Sequence, residues 1–270
     1  MIRSIQLFRC IAVTALTTTA SVGFAQSATP RPKFDAFDVA TIKPIEHNPQ
    51  GGRFITMQGT HRFIVKDYSL KLLIAAAYDL NPRAVSGGPD WVDSEHYDIT
   101  AITPGEVRPS RDEQMAMLRK LLSDRFQLTF HREQKEFSLY ELEAVKGGVK
   151  IKASAAPPDE PAALISTVYP QRIMLPARNT TMAEFTSLLQ RAILDRPVVD
   201  KTGLSGRFDF DLEWAPDETQ FGGEVPVASA DAPSAPFFRA IQDQLGLRLR
   251  PAKGPIEALV VDKAEKPTAD

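Results

Sequence analysis

The stretch Asp200–Trp214, DKTGLSGRFDFDLEW, decides the fold, because it joins a glycine-bearing turn to a strand with a strict two-residue pattern. Gly203 and Gly206 can adopt positive φ, which a sharp turn into a strand requires. The apolar positions of the strand are Phe208, Phe210, Leu212 and Trp214, and acidic residues separate them. Because successive side chains of a strand point to opposite faces, we expect one face on a core and the other in water.

The first 25 residues have the features of an export signal. Arg3 and Arg9 supply positive charge, residues 11–24 are apolar or small, and the sequence that ends at Ala25 suits a signal peptidase. We therefore predict a signal peptide at residues 1–25 and a periplasmic or secreted mature chain without a transmembrane span. An uncleaved anchor is the alternative, although the apolar run is shorter than the roughly 20 residues of a membrane span.

The composition is that of a globular protein. The chain has 270 residues, of which 43% are hydrophobic, enough for a core in one large or two small domains. Its formal net charge of −2 argues against nucleic-acid binding, which normally requires a basic patch. The single cysteine, Cys10, lies in the predicted signal peptide, so cleavage leaves neither a disulfide nor a thiolate metal ligand.

Apolar periodicity and capping residues predict four helices between short strands. The helices begin after Asp67 or Ser69, after Ser110 with Glu113 at capping-box spacing, after Thr181 with Glu184 at the same spacing, and at Phe237. The predicted strands are residues 34–42, 53–57, 62–65, 97–102 and 208–214. Two further segments, residues 126–145 and 247–261, each predict a hairpin.

The order of these elements repeats along the chain. It predicts an α+β fold of two similar halves, residues 26–146 and 177–265, each with two helices packed on a small, mainly antiparallel sheet. Internal duplication is one interpretation, and chance similarity of short helix–strand units is the other. Residues 147–176 are rich in proline, alanine and charge and predict a linker or long loop, while residues 266–270 form a polar tail.

Five segments resemble a family of exported soil-bacterial proteins of uncharacterised function. They are FDVATIKP at 37–44, SGGPDWVDSEHYDI at 86–99, LLSDRFQLTFHREQKE at 121–136, RPVVDKTGLSGRFDFDLEW at 196–214 and QLGLRLRPAKGPIEALVVDKAEKP at 244–267. Together they extend over nearly all of the chain after the signal peptide. Similar domains are fused behind membrane metallopeptidases of the antibiotic-sensor type, which implies a role beside such a peptidase. The resemblance assigns no catalytic residue.

The sequence lacks the motifs of the common hydrolases. It contains no His-Glu-x-x-His motif and, after the signal peptide, no Ser-x-x-Lys motif. Ser205 lies between glycines but precedes a strand, whereas a nucleophile elbow joins a strand to a helix. We therefore predict no catalytic residue and no cofactor.

One candidate metal site is the group Asp93, Glu95 and His96. Its carboxylate oxygens and imidazole nitrogen are atoms that bind cations, but the spacing matches no defined calcium loop. A solvated loop around Trp91 is the alternative interpretation.

The second candidate is the acidic stripe Asp209, Asp211 and Glu213 on the polar face of one strand. Such a stripe can bind a basic partner or a cation, or it can be a wet face neutralised by cross-strand basic residues. We expect the second, with Arg248 and Arg250 as the neutralising neighbours.

These observations favour an exported, non-catalytic binding or interaction module whose partner is an unknown ligand or an envelope protein. A carboxylate-dependent envelope hydrolase, with the acidic residues meeting in one cleft, is the first alternative. A sensory or regulatory partner of a membrane peptidase is the second. The sequence leaves the oligomeric state open.

Overall fold

The computed structural model describes residues 31–48, 51–157 and 160–268. The signal peptide predicted at residues 1–25 lies outside them. The described residues form a mixed α+β fold with thirteen strands and five α-helices, all within the unit Pro32–Asp270. In this part of the chain, no helix combines the length and the hydropathy that crossing a membrane requires.

Strands make up most of the regular structure. In chain order they are β1 (Val39–Ile45), β2 (Phe54–Gln58), β3 (Arg62–Ser69), β4 (Val85–Gly87), β5 (His96–Ile102), β6 (Thr129–Ala144), β7 (Lys152–Ala153), β8 (Ala163–Leu164), β9 (Thr167–Tyr169), β10 (Arg172–Thr180), β11 (Val198–Asp200), β12 (Phe208–Trp214) and β13 (Leu247–Lys263). The α-helices are α1 (Leu70–Ala77), α2 (Trp91–Ser94), α3 (Arg111–Arg125), α4 (Met182–Leu188) and α5 (Phe237–Ala240). The π-helical segments Leu189–Ile193 and Ile241–Leu245 extend α4 and α5, and Pro82–Ala84 and Phe221–Gly223 are short 3-10 helices.

All four predicted helices begin where the sequence placed them, α1 after Ser69 rather than Asp67 and α5 at Phe237. Ser69 caps α1 by accepting a hydrogen bond from the backbone N–H three residues further on. Ser110 and Glu113 form a capping box at α3, and Thr181 and Glu184 form another at α4. These bonds satisfy N–H groups that the first turn of a helix leaves without intrahelical partners.

The first sheet has the strand order β1-β5-β3-β2 and is antiparallel throughout. Helices α1 and α3 pack together with it around one hydrophobic core. Large side chains buried in this core include Phe63, Leu73, Tyr97, Leu118 and Phe126. The core places the end of β3 and the start of β5 side by side, where the candidate site lies.

The second sheet has the order β7-β12-β10-β8, and β9 also pairs with β10. The predicted alternation in β12 is confirmed, since Phe208, Phe210, Leu212 and Trp214 are all buried. The Trp214 indole donates a hydrogen bond of 2.8 Å to the side-chain oxygen of Gln220, which is fully buried as well. This bond satisfies the one polar group of the indole inside an apolar core.

A third sheet, β11-β6-β13-β4, connects the two cores. The two hairpins predicted within residues 126–145 and 247–261 are wrong, because β6 and β13 are single long strands that pair antiparallel with each other. The charged middle of β6 does not turn. Arg132 forms an ion pair with Glu257, which lies diagonally across the ribbon, and such cross-strand pairs stabilise an exposed strand.

The two ends of this ribbon belong to different cores. Leu142 and Leu249 lie in the core of the second sheet, whereas Leu259 and Val261 lie in that of the first. Each core thus contains strand ends from both halves of the sequence.

The structure also differs from the prediction for residues 147–176. The predicted linker or loop contains β7, β8, β9 and the start of β10. Lys152 and Ala153 pair with β12, and β9 forms a hairpin with β10. Short edge strands tolerate proline and alanine, because only one side of an edge strand is hydrogen-bonded to the sheet. Composition alone therefore did not reveal these strands.

Candidate functional site

The candidate site is built around Asp67, near the end of β3. The pairing of β3 with β5 shifts between Val65 and Tyr68, and Asp67 adopts φ 58° at this bulge. A left-handed conformation is uncommon for a residue other than glycine and needs support from its surroundings. Support comes from Asp98 on β5, whose Oδ1 accepts a hydrogen bond of 3.0 Å from the backbone N–H of Asp67.

The bulge directs the Asp67 carboxylate at two histidines. Nδ1 of His96, the first residue of β5, lies 2.6 Å from Oδ1 of Asp67. Nδ1 of His47, in the loop after β1, lies 3.1 Å from the same oxygen. The backbone N–H of Asn48 donates a hydrogen bond of 3.1 Å to Oδ2. The centroids of the two imidazole rings are 4.3 Å apart.

Burial and hydrogen bonding act in opposite directions on Asp67. Its side chain is only 5% exposed, and burial alone would raise the pKa of the carboxyl. The hydrogen bonds from His47, the Asn48 N–H and His96 outweigh burial, so that the pKa of Asp67 lies below its ordinary value. The site therefore contains a buried carboxylate anion between two imidazoles.

The three side chains can act together as metal ligands. One ligand atom from each of His47, Asp67 and His96 lies within 4.8 Å of the other two. Two imidazoles and one carboxylate form a donor set that divalent transition metals prefer. Asp67 and His96 are buried, while the His47 side chain is 36% exposed, so the group is open on one side.

A cleft of about 330 Å³ borders the two histidines. Its lining residues are His47, Arg53, Ser69, Lys71, Leu72, Pro82, Arg83, Asp93, His96 and Glu224. Asp67 lies behind it and lines a second, smaller cleft of about 220 Å³ together with Asn48, Lys66 and Asp98. The Asp67 carboxylate is therefore near both clefts.

Ion pairs hold the rim of the larger cleft. Arg53 forms a salt bridge of 2.9 Å with Glu224, which belongs to the loop between β12 and α5. Lys71 of α1 lies 3.1 Å from Asp93 of α2. The Arg53 guanidinium also lies 5.5 Å from the ring centroid of Tyr68. Residues from distant parts of the sequence thus build one cleft.

The first sequence-predicted group does not converge on one point. Glu95 pairs with Lys266 and accepts a hydrogen bond of 3.2 Å from the Tyr97 hydroxyl. The bond from Lys266 is the main reason why the pKa of Glu95 lies below its ordinary value. Asp93 pairs with Lys71 at the cleft rim. Only His96 of the three contacts the carboxylate of Asp67.

The acidic stripe of β12 is neutralised by neighbours other than those predicted. Asp211 pairs with Arg178 of β10 at 2.7 Å, and Glu213 lies 3.4 Å from Arg172 of the same strand. Asp209 accepts a hydrogen bond of 2.8 Å from the backbone N–H of Asn179.

Arg248 and Arg250, expected beside that stripe, pair with glutamates of β6 instead. Their strand, β13, belongs to the third sheet, and β12 to the second. The expected cross-strand pairing is therefore wrong, because the partner of β13 could not be read from the pattern of either strand.

Asn179 occupies a position in β10 like that of Asp67 in β3. It adopts φ 51° where the pairing of β10 with β12 shifts, and it lies two residues before the helix cap Thr181, as Asp67 lies two before Ser69. Its side-chain amide donates hydrogen bonds to the carbonyl oxygens of Pro157 and Glu160. In the second sheet, the Asn179 amide therefore binds a loop. At the equivalent position of the first sheet, the Asp67 carboxylate contacts two histidines.

Sequence reasoning did not single out His47, and it named Asp67 only as a possible helix cap. His47 is isolated in the sequence, and 20 residues separate it from Asp67. The available signal was positional, since an aspartate or asparagine two residues before a strand-to-helix cap occurs at both Asp67 and Asn179. Aspartate and asparagine adopt the left-handed region more readily than other non-glycine residues.

Comparison with known proteins gives the family but no activity. Residues 71–264 match the family described as "Protein of unknown function (DUF3738)". A search of curated proteins and a search of solved structures each found no match. The matched residues include His96 and the rim residues Lys71 and Asp93. Because the match covers more than half of the chain, this protein belongs to the DUF3738 family.

Proposed function

We propose that the protein is an exported binding module whose ligand site is the cleft beside His47 and His96. The ligand is a small molecule with an anionic group. The cleft volume of about 330 Å³ is at the lower end of small-molecule sites, which range over roughly 300–1,000 Å³. The proposal of export rests on the sequence of the first 25 residues alone.

The convergence of His47 and His96 on one buried carboxylate supports this proposal most. Burying an ionised carboxylate costs free energy unless it is hydrogen-bonded, and these contacts supply bonds to Asp67. The hydrogen bonds of both rings run through Nδ1.

The charges of the lining favour an anionic ligand. Three cationic side chains, Arg53, Lys71 and Arg83, face two carboxylates, Asp93 and Glu224. The Arg83 side chain is 64% exposed and reaches its nearest carboxylate partner at 3.6 Å. A guanidinium held this loosely can turn to a carboxylate or phosphate group of a ligand, which it binds through two parallel hydrogen bonds.

A carboxylate-dependent hydrolase has less support. A general acid near neutral pH requires a raised pKa, whereas the pKa values of Glu95 and Asp209 lie below their ordinary values. The main causes are the hydrogen bond from Lys266 to Glu95 and that from the Asn179 N–H to Asp209. These acids serve as anionic partners of particular groups, not as a pair across a substrate.

We also propose that the two similar halves of the sequence descend from an internal duplication. Three matched features support it: a strand with a bulge at Asp67 or Asn179, a helix cap two residues later, and a carboxylate on the neighbouring strand, Asp98 or Asp209, that accepts the bulge N–H.

A thermal-shift screen with small carboxylates, phosphates and sulfates tests the ligand class. A ligand at a hundred times its dissociation constant stabilises the native state by about 2.7 kcal/mol, which is readily seen. We expect Lys71→Ala and Arg83→Ala to reduce the shift. Arg178→Ala is the matched control, because Arg178 pairs with Asp211 away from the cleft. No shift with any anion, or an equal shift in all variants, would contradict the proposal.

A further inference from the structure

We infer that His47, Asp67 and His96 bind one divalent transition-metal ion, and that this ion holds the anionic group of the ligand in the cleft. The second part rests on the proposed function, whereas the first part stands on the geometry of the three side chains. The donor atoms are Oδ1 of Asp67 and Nδ1 of each histidine.

The distances between the donor atoms are close to those of a metal site. Nδ1 of His47 and Nδ1 of His96 lie 3.1 and 2.6 Å from Oδ1 of Asp67. Bonds of 2.0–2.2 Å in a tetrahedral arrangement separate ligand atoms by about 3.4 Å. To admit an ion, the separation of His96 Nδ1 from Oδ1 of Asp67 must grow from 2.6 Å to about 3.4 Å, and that of His47 Nδ1 from 3.1 Å to about 3.4 Å. The larger movement therefore falls on His96, and the smaller one on the partly exposed His47.

Neighbouring groups hold Asp67 in place by hydrogen bonds, as the residues around metal ligands do in metal sites. The Asn48 N–H donates a hydrogen bond to Oδ2 of Asp67, Oδ1 lies closest to His96, and Nδ1 of His47 lies near both oxygens at 3.1 and 3.2 Å. Asp98 holds the backbone of Asp67 at the bulge, and Lys66 in turn pairs with Asp98. The ligand orientation is therefore set before an ion binds.

Three protein ligands leave at least one coordination position for water or a ligand group. His47 and His96 line the larger cleft, so the ion would lie beside the cationic lining of that cleft. A divalent ion adds positive charge there and binds carboxylate or phosphate oxygen directly. An ion bound by the two imidazoles and the Asp67 carboxylate would thus add to the positive charge of Arg53 and Lys71 that attracts an anion.

The second half of the chain lacks this donor set at the matching position. Asn179 stands at the bulge, and Arg207, which lies two residues before Asp209 as His96 lies two residues before Asp98, donates a hydrogen bond of 2.7 Å to the Asn179 carbonyl. An amide and a guanidinium do not replace two imidazoles and a carboxylate as metal ligands. The donor set is thus specific to the first half, although the backbone geometry recurs.

Equilibrium dialysis of the metal-stripped, purified chain against zinc chloride, with elemental analysis, tests the inference. Manganese, cobalt and nickel salts are run in parallel. We expect one equivalent of zinc per chain, and at least a tenfold loss of affinity in each of His47→Ala and His96→Ala. His131→Ala is the matched control, because His131 forms an exposed pair of 2.7 Å with Asp262.

Circular dichroism confirms that each variant is folded before it is compared. His47→Ala is the decisive variant, since its side chain is the most exposed of the three and its loss leaves the core intact. No metal bound by the folded protein, or equal binding in His47→Ala and the control, would overturn the inference. If the protein binds metal but no anion shifts its melting temperature, the metal site stands and the proposed anion-binding function is refuted. If anions shift the melting temperature but no metal binds, only the metal site is refuted.

Discussion

The backbone N–H of Asp67 donates a 3.0 Å hydrogen bond to Oδ1 of Asp98, and this bond holds the β3 bulge that turns the Asp67 carboxylate toward two histidines. Asn179 and Asp209 form the corresponding bond of 2.8 Å in the second sheet. The Asp67–Asp98 bond positions a residue of the candidate site, whereas the Asn179–Asp209 bond contributes only to the fold. Variants of Asp98 and Asp209 can therefore separate an effect on the position of the Asp67 carboxylate from an effect on stability.

Asp98→Ala should weaken zinc binding by about tenfold or more, because loss of a residue that orients a metal ligand typically has this effect. Asp209→Ala should leave zinc binding unchanged. Both variants should lose stability, since each removes a hydrogen bond to a charged group. Isothermal titration and urea unfolding measure the two effects separately. Equal zinc affinity in the two variants would refute a positioning role for Asp98.

Asp79→Asn should reduce stability only above about pH 4. Burial raises the pKa of Asp79, but the charge and hydrogen bond of Arg111 and the hydroxyl of Ser187 lower it below the ordinary 3.8. A lowered folded-state pKa adds stability that is present above the unfolded-state pKa and is lost as the pH falls through the folded-state value. Since Asp79 and Arg111 are partly exposed, we expect a difference of about 0.5–1 kcal/mol at pH 7.

Urea unfolding of both proteins between pH 7 and pH 2 measures this difference. Asparagine tolerates the φ of 53° at position 79, so the backbone is kept. The stability curves should converge below about pH 4. A constant gap across the whole pH range would show that the charge of Asp79 does not contribute.

Asn81→Ala should destabilise the protein by about 1–3 kcal/mol, because it leaves buried carbonyl groups without a donor. The buried Asn81 amide donates hydrogen bonds of 2.6 and 3.3 Å to the carbonyl oxygens of Gln190 and Leu194, at the end of the helix that starts with α4. Asn81→Asp should cost more, since a carboxylate faces the same carbonyls. Chemical denaturation checks the order, and a milder effect of Asn81→Asp would contradict it.

Gly246→Ala should cost at least twice as much stability as Gly203→Ala. Both glycines have positive φ, 66° and 69°, which costs a side-chain-bearing residue about 1 kcal/mol. An added Cβ at Gly246 would also collide with the carbonyl oxygen of Gly148, whereas Gly203 has nothing within 4 Å. Thermal unfolding of the two variants measures the difference, and equal losses would show that the loop at Gly148 yields freely.

Local features of this fold could be predicted from the sequence. The alternation in β12 and the caps at Ser69, Ser110 and Thr181 depend on residues a few positions apart, and each occurs as predicted. The pairing of β6 with β13 could not be predicted. Strand partners are selected by packing in three dimensions, and both strands carry a similar mixture of apolar and charged residues.

The candidate site was accessible from the sequence only in part. His96 was named, but its partners come from a loop near the start of the described chain and from the bulge before α1. The pairing of β3 with β5 shifts between Val65 and Tyr68, at the position of the buried Asp67. A bulge changes the direction of a side chain without a strong sequence signal of its own, so the convergence of three distant residues could not be inferred.

The most direct test is a crystal structure of the zinc-loaded protein with anomalous data at the zinc absorption edge. The account predicts one strong anomalous peak at roughly 2.0–2.2 Å from Oδ1 of Asp67 and from Nδ1 of His47 and His96, beside the larger cleft. A map without a peak between these atoms, with both histidines still hydrogen-bonded to Asp67 at saturating zinc, would contradict it.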